Sequence, residues 1–159
     1  MKVVFLDVDG VLNYSGCKET FHGLLGVTDE GLDRLAEIVF SCSPPAAIVL
    51  TSSWKTFWDN QPINSNSLDP MALYLIERLK SRGLRLTDRT QEKDPHDRGM
   101  GIKGWLRKVP DIESWVVLDD EVFPDYGKYD IGPHLVKTSF GIGLTERSVE
   151  KAIKILRGE

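Results

Sequence analysis

The chain has 159 residues, a formal net charge of −4, 41% hydrophobic and 28% charged residues, and two cysteines. Such a length fits one domain, residues 1–159, that buries roughly two-thirds of its unfolded surface, and the acidic balance excludes a global basic field for nucleic acid. Cys17 and Cys42 are too few for a disulfide framework, no 18-residue apolar stretch is present to span a membrane, and Asp7 and Asp9 interrupt the one apolar run that could serve as a secretory leader, so the expected address is the cytoplasm.

In chain order, residues 2–6 read as a short buried strand. Residues 29–41 place Leu32, Leu35, Ala36, Ile38 and Val39 at helical spacing, with Thr28 as N-cap and Pro44-Pro45 as the stop. A second apolar strand covers 46–53. Asp69-Pro70 reads as an N-cap and a proline at the first helical position, followed by Ala72, Leu75, Ile76 and Leu79 on one face and Gly83 as terminator. Residues 84–88 form a third strand, 89–99 a polar loop, and Ile102, Trp105 and Leu106 one side of a short helix. Strands are expected at 114–120 and 134–139, and a final helix from about Glu146, capped by Thr145, with Val149, Ala152, Ile153 and Leu156 inward. This alternation predicts an α/β, Rossmann-like, doubly wound sheet of about five mainly parallel strands with helices on both faces.

Ligand sites in such sheets lie beyond the carboxyl ends of the strands. The first strand ends in Asp7 and Asp9, the second in Thr51, Ser52 and Ser53, and the fourth in Asp119 and Asp120, while Lys103 precedes the fourth strand. Four carboxylates on one rim repel one another unless cations balance them, and an all-oxygen donor set with few protein ligands suits Mg²⁺. A carboxylate in that setting is a competent nucleophile for phosphoryl transfer. A second aspartate two residues on can protonate the leaving oxygen and then activate water. Thr51 and Lys103 are placed to hold the phosphoryl oxygens.

These motifs resemble those of the haloacid dehalogenase (HAD) superfamily. "FLDVDGVL" looks like the first motif, DxDG followed by Thr or Val, in the form used by its phosphatases. "IVLTSSW" is similar to the second motif, Lys103 fits the third, and "VVLDDE" fits the paired-aspartate version of the fourth. The resemblance implies an aspartyl-phosphate intermediate on Asp7, itself a Mg²⁺ ligand, with Asp9 as general acid/base and a backbone ligand to Mg²⁺. It implies that Thr51, or Ser52 if the register slips by one, contacts the phosphoryl group and that Lys103 balances charge. The resemblance to paired-aspartate members favours Asp120 as metal ligand and Asp119 as the partner that orients the lysine. A HAD-fold binding or regulatory module without turnover is the alternative, which loss of Asp9 or Lys103 would signal; both are present.

About twenty residues follow the first motif before the next helix and some fifteen separate the third strand from Lys103, too few for a full cap domain in either place. The resemblance therefore implies a capless member with an open site. Residues 13–27 are expected to form a small flap. Residues 88–101 are expected to overhang the site, with Arg89, His96 and Arg98 as contacts for a substrate phosphate. Asp97-Arg98 ahead of Lys103 is similar to the arrangement in polynucleotide 3′-phosphatase domains. "DVDGVLN", "TSSW" and "LDD" with the late "GLTERSVEKAIKIL" resemble small HAD domains of RNA-repair proteins. The expected substrate is a small phosphomonoester or a nucleic-acid terminal phosphate.

Overall fold

The structure, a computed structural model, describes residues 1–66 and 68–159. The chain runs β1 (Lys2–Leu6), β2 (Thr20–Phe21), β3 (Leu24–Leu25), α1 (Asp29–Phe40), β4 (Ala47–Leu50), a 3₁₀ turn (Ser53–Trp58) and α2 (Pro70–Lys80). It continues through β5 (Leu86–Arg89), α3 (Arg98–Lys108), β6 (Ser114–Asp119), a second 3₁₀ turn (Gly132–His134), β7 (Leu135–Lys137) and α4 (Glu146–Arg157). Five strands form one parallel sheet in the order β5-β4-β1-β6-β7.

Side-chain alternation along the strands builds two cores. Val4, Leu6, Ile48, Leu50, Val116 and Leu118 face α1, α2 and α4, where Leu35, Leu75, Leu79, Ala152 and Leu156 are buried. Val3, Phe5, Val49 and Val117 face the other side and pack with Ile102 and Trp105 of α3 and with Tyr126. Both faces of β1 are thus covered, which is why its residues are continuously apolar.

Helix starts follow the expected chemistry. Thr28 accepts from Gly31 N, Asp69 from Met71 N ahead of Pro70, and Thr145 exchanges capping bonds with Ser148. Some boundaries differ from the sequence reading. Helix α1 ends at Phe40, capped by Ser41, before Pro44-Pro45 is reached. Strand β4 stops at Leu50, so Thr51 to Ser53 lie past it. Helix α3 starts at Arg98, inside the stretch read as loop, because Asp125 Oδ1 and Oδ2 accept from the backbone N–H groups of Gly99 and Met100 in its first turn.

Among the described residues, no cap domain is inserted after β1 or β5. Residues 13–27 contain only the β2–β3 hairpin, whose turn residues His22 and Gly23 have φ of 50° and 78°, as a two-residue type I′ turn requires. Among the described residues, no helix is long and apolar enough to cross a membrane.

Candidate active site

Strand order reverses at β1, which lies between β4 and β6, so the sheet opens a crevice at the carboxyl end of β1. Backbone pairing continues one residue past the strands. Asp7 N donates to Leu118 O at 3.0 Å, fixing Asp7 against the end of β6, and Thr51 N donates to Leu6 O at 2.9 Å, fixing Thr51 against the end of β1. The chain then turns through Gly10, where φ is +78° and an added Cβ would fall 2.4 Å from Asp120 Oδ2. Only glycine meets both demands, and its missing side chain is the space Asp120 occupies.

Carboxylate oxygens of Asp7, Asp119 and Asp120 lie within 4.8 Å of one another. Asp119 is fully buried and its oxygens are taken: Arg98 Nη1 donates to Oδ2 at 2.8 Å, Tyr126 Oη donates to Oδ2 at 3.0 Å, and Glu121 N donates to Oδ1 at 3.0 Å. The same Nη1 is 3.4 Å from Asp7 Oδ1, and the guanidinium lies 4.1 Å from the Phe123 ring centroid. One cation therefore serves two buried carboxylates.

That arrangement leaves negative charge uncompensated. Burial, then the charge of Asp119, pushes the Asp7 carboxyl well above the ordinary range despite Arg98. Burial also raises Asp120, with Asp119 and Glu121 adding to it against a hydrogen bond with Asp7 that lowers it. Burial acts to lower Arg98, but Asp7 and Asp119 outweigh it and the guanidinium stays charged. The Tyr126 hydroxyl is pushed far up, first by burial and then by Asp119, and remains a donor. Three carboxylates, one guanidinium and an all-oxygen donor set fit a hard divalent cation, with Asp7 and Asp120 less committed to protein donors than Asp119 is.

Asp9 stands apart from that trio on the wall of the same pocket, a cavity of about 240 Å³ lined also by Asp7, Ser53, Arg98, Asp120 and Phe140. Its Oδ1 accepts from Asn13 Nδ2 at 2.9 Å and from Trp54 Nε1 at 3.2 Å. Asn13 is itself buried, accepting from Gly10 N at 2.9 Å and donating to Gly26 O at 2.8 Å. The carboxylate is thus held by two side chains with fixed positions.

The model of one protein family, the HAD domain in Swiss Army Knife RNA repair proteins, matches residues 3–149. The chain belongs to that family. The match runs from β1 into α4 and so includes every strand-end residue described above. No curated protein and no solved structure matches the chain.

In this HAD domain Asp7, Asp9, Asp119, Asp120 and Arg98 come together, and Lys103 does not join them. Its Nζ lies 5.0 Å from the Trp115 ring centroid and lines a cleft with Ser114 and Leu106, at the end of the sheet where β6 begins. The expected placement of Lys103 at the strand-end rim is corrected on this point. Helix α3 starts at the carboxyl ends of the strands and runs away from them. Five residues carry Lys103 about 7.5 Å farther along the axis and roughly 140° around it, and Arg98 at the helix start occupies the rim instead.

Thr51 is fully buried, and its Oγ1, like Arg98 Nε, has no hydrogen-bond partner among the described residues. Ser52 is occupied as a cap, accepting from Trp54 N at 3.1 Å, and Ser53 is the hydroxyl on the pocket wall. Neither Arg89 nor His96 lines the pocket. Within the loop after β5, Glu92 turns inward to pair with Lys55 Nζ, which also donates to Thr90 Oγ1 at 2.9 Å.

Sequence reasoning missed Asn13, Trp54 and Tyr126 as partners of the site carboxylates. For Asn13 a signal existed in its place four residues after Asp9, directly following the first motif; Trp54 and Tyr126 reach the site through the fold.

Proposed function

We propose that this HAD domain is a magnesium-dependent phosphomonoester hydrolase working through an aspartyl phosphate on Asp7. The observation that carries the reading is the convergence of Asp7, Asp119 and Asp120 within 4.8 Å, with the Arg98 guanidinium bridging two of them. Asp7, Asp120 and the backbone carbonyl of Asp9 would hold Mg²⁺, which when bound neutralises the carboxylates and polarises a phosphoryl oxygen.

An Asp7 oxygen attacks phosphorus. The bond from phosphorus to the leaving oxygen breaks, that oxygen keeps the electron pair, and Asp9 supplies its proton. Asp9, now a carboxylate, takes a proton from water as the water oxygen attacks phosphorus. The acyl phosphate bond then breaks, returning Asp7 and releasing inorganic phosphate. Arg98 stays paired with Asp119 and presents its remaining donors to the phosphoryl oxygens, and the partnerless Thr51 hydroxyl supplies another. Asn13 and Trp54 keep the Asp9 carboxyl aimed at the shuttle path.

The substrate is a small phosphomonoester or a nucleic-acid terminal phosphate. The family's description as part of RNA repair proteins supports the second, and the capless, open crevice leaves room for a macromolecular end. Two free cysteines fit a reducing, cytoplasmic setting. The test is hydrolysis of p-nitrophenyl phosphate with and without Mg²⁺, alongside Asp7→Asn. Turnover that requires both the metal and Asp7 is expected. A folded wild-type protein that hydrolyses no phosphomonoester would leave a binding module as the better account.

A further inference from the structure

A second cavity of about 390 Å³ opens beside the phosphoryl pocket and shares Asp9, Ser53 and Phe140 with it. Its other walls are unlike the first. Leu24 and Leu25 come from the β2–β3 hairpin, and Trp54, Thr56 and Phe57 from the 3₁₀ turn after β4. Trp54 and Phe57 meet edge to face, ring centroids 5.6 Å apart. Leu24 is 49% exposed and Phe140 45%, an apolar rim that water covers only at a cost.

The position of this slot relative to the aspartates fixes which part of a substrate enters it. Asp7, Arg98 and Asp120 line only the phosphoryl pocket, so phosphorus sits there. Asp9 is on the wall common to both cavities, and Asp9 is the group that hands a proton to the leaving oxygen. The leaving group therefore extends into the slot. There it meets Ser53 and Phe140 on the shared wall, and Thr56, Leu24 and Phe57 on the walls that belong to the slot alone. A sugar carrying a flat ring matches that mixture of hydroxyl and aromatic walls, since every base offers an apolar face for stacking on aromatic side chains. Among the described residues, the slot carries no lysine or arginine and the pocket carries Arg98 alone. One phosphate is gripped, and a flanking phosphodiester is not.

Resting on the phosphatase reading above, we infer that the slot walled by Leu24, Phe57 and Phe140 selects a nucleoside as the leaving group, so that the substrate is a nucleoside monophosphate unit, free or at a strand end. The slot's volume lies within the range of small-molecule sites.

The test compares kcat/KM, in Mg²⁺, for a nucleoside 3′-monophosphate, an oligonucleotide ending in the same 3′-phosphate, tyrosyl phosphate and glycerol 2-phosphate. Glycerol 2-phosphate offers the same kind of secondary alcohol without a ring. A preference of roughly 10- to 100-fold for the nucleotide over glycerol 2-phosphate is expected, as one base stack provides. Leu24→Glu, on the exposed hairpin where folding is not at stake, should erase most of that preference by lowering kcat/KM for the nucleotide. Equal use of the two substrates, a preference for tyrosyl phosphate, or indifference to Leu24→Glu overturns the slot assignment while leaving the phosphatase reading in place. Should no ester turn over, equilibrium dialysis of the free nucleoside against the wild-type protein still decides, since absence of saturable binding that Leu24→Glu weakens would end the inference. Comparable rates for the free nucleotide and the oligonucleotide are expected; a strong demand for the longer strand would contradict the single gripped phosphate.

Discussion

Arg98 Nη1 stands 2.8 Å from Asp119 Oδ2 and 3.4 Å from Asp7 Oδ1, so one guanidinium spans the carboxylates at the ends of β6 and β1. Arg98→Lys keeps a charge but loses the planar fork, and kcat/KM should fall by about 10²- to 10³-fold, as for other removed charge-stabilising donors. Lys103→Ala, which loses a cation–π contact with Trp115 away from the aspartates, should stay within about threefold. Steady-state kinetics of the two variants side by side checks the assignment. Equal damage from both would return Lys103 to the site.

Trp54→Phe removes the N–H that reaches Asp9 and keeps an aromatic ring in the core. We expect kcat to drop about 5- to 30-fold with KM little changed, a fraction of the full worth of a general acid. Asn13→Ala should behave differently. Asn13 is 1% exposed and makes bonds to Asp9, Gly10 and Gly26, so its loss should cost about 2–4 kcal/mol of stability, read by urea denaturation.

On the proposed reading, metal and pH should act on stability through the same carboxylates. Asp7 and Asp120 have folded-state values raised above their ordinary ones. Such groups favour the fold fully at pH below the ordinary carboxylate value, and that contribution is lost as pH rises through the raised values. Metal-free wild type should therefore lose stability between mildly acidic and neutral pH, and Mg²⁺ should restore it at neutral pH. Asp7→Asn removes one of the repelling charges, so its melting temperature in EDTA should exceed wild type's by about 2–6 °C at pH 7.5 and by less at pH 5. Thermal melts in EDTA and in MgCl₂ at the two pH values test this; a wild type that melts higher at pH 7.5 than at pH 5 without metal, with Asp7→Asn showing the same trend, would contradict it.

Gly10→Ala places a methyl where the Asp120 carboxylate lies, 2.4 Å from Oδ2, at a φ of +78°. The conformation alone costs on the order of 1 kcal/mol, and Asp120 must move. The expected result is a Mg²⁺ requirement shifted upward about tenfold or more, measured by titrating activity with MgCl₂. An unchanged metal dependence would mean that Asp120 is not a ligand.

Much of this molecule is legible in its sequence. The continuous apolar runs of β1, β4 and β6 announce strands buried on both faces, and Thr28, Asp69 and Thr145 mark helix starts through their own side chains. Asp7 and Asp9, and the Asp119-Asp120 pair, stand out because charge directly after a buried strand needs a reason. Less visible was the choice between two basic residues. Arg98 and Lys103 sit on one helix, and which of them reaches the aspartates depends on where that helix begins. The capture of its first N–H groups by Asp125 sets the start, and Asp125 is 26 residues from Gly99.

The residues themselves therefore determined the parallel sheet, the family and the acidic rim, because burial and local capping are written position by position. Tertiary packing alone decided that Arg98 bridges Asp7 and Asp119, that Trp54 and Asn13 hold Asp9, and that an aromatic slot opens beside it. Those relations join side chains distant along the chain, and hydrogen-bond reach of about 3 Å is set only once the helices have docked on the sheet.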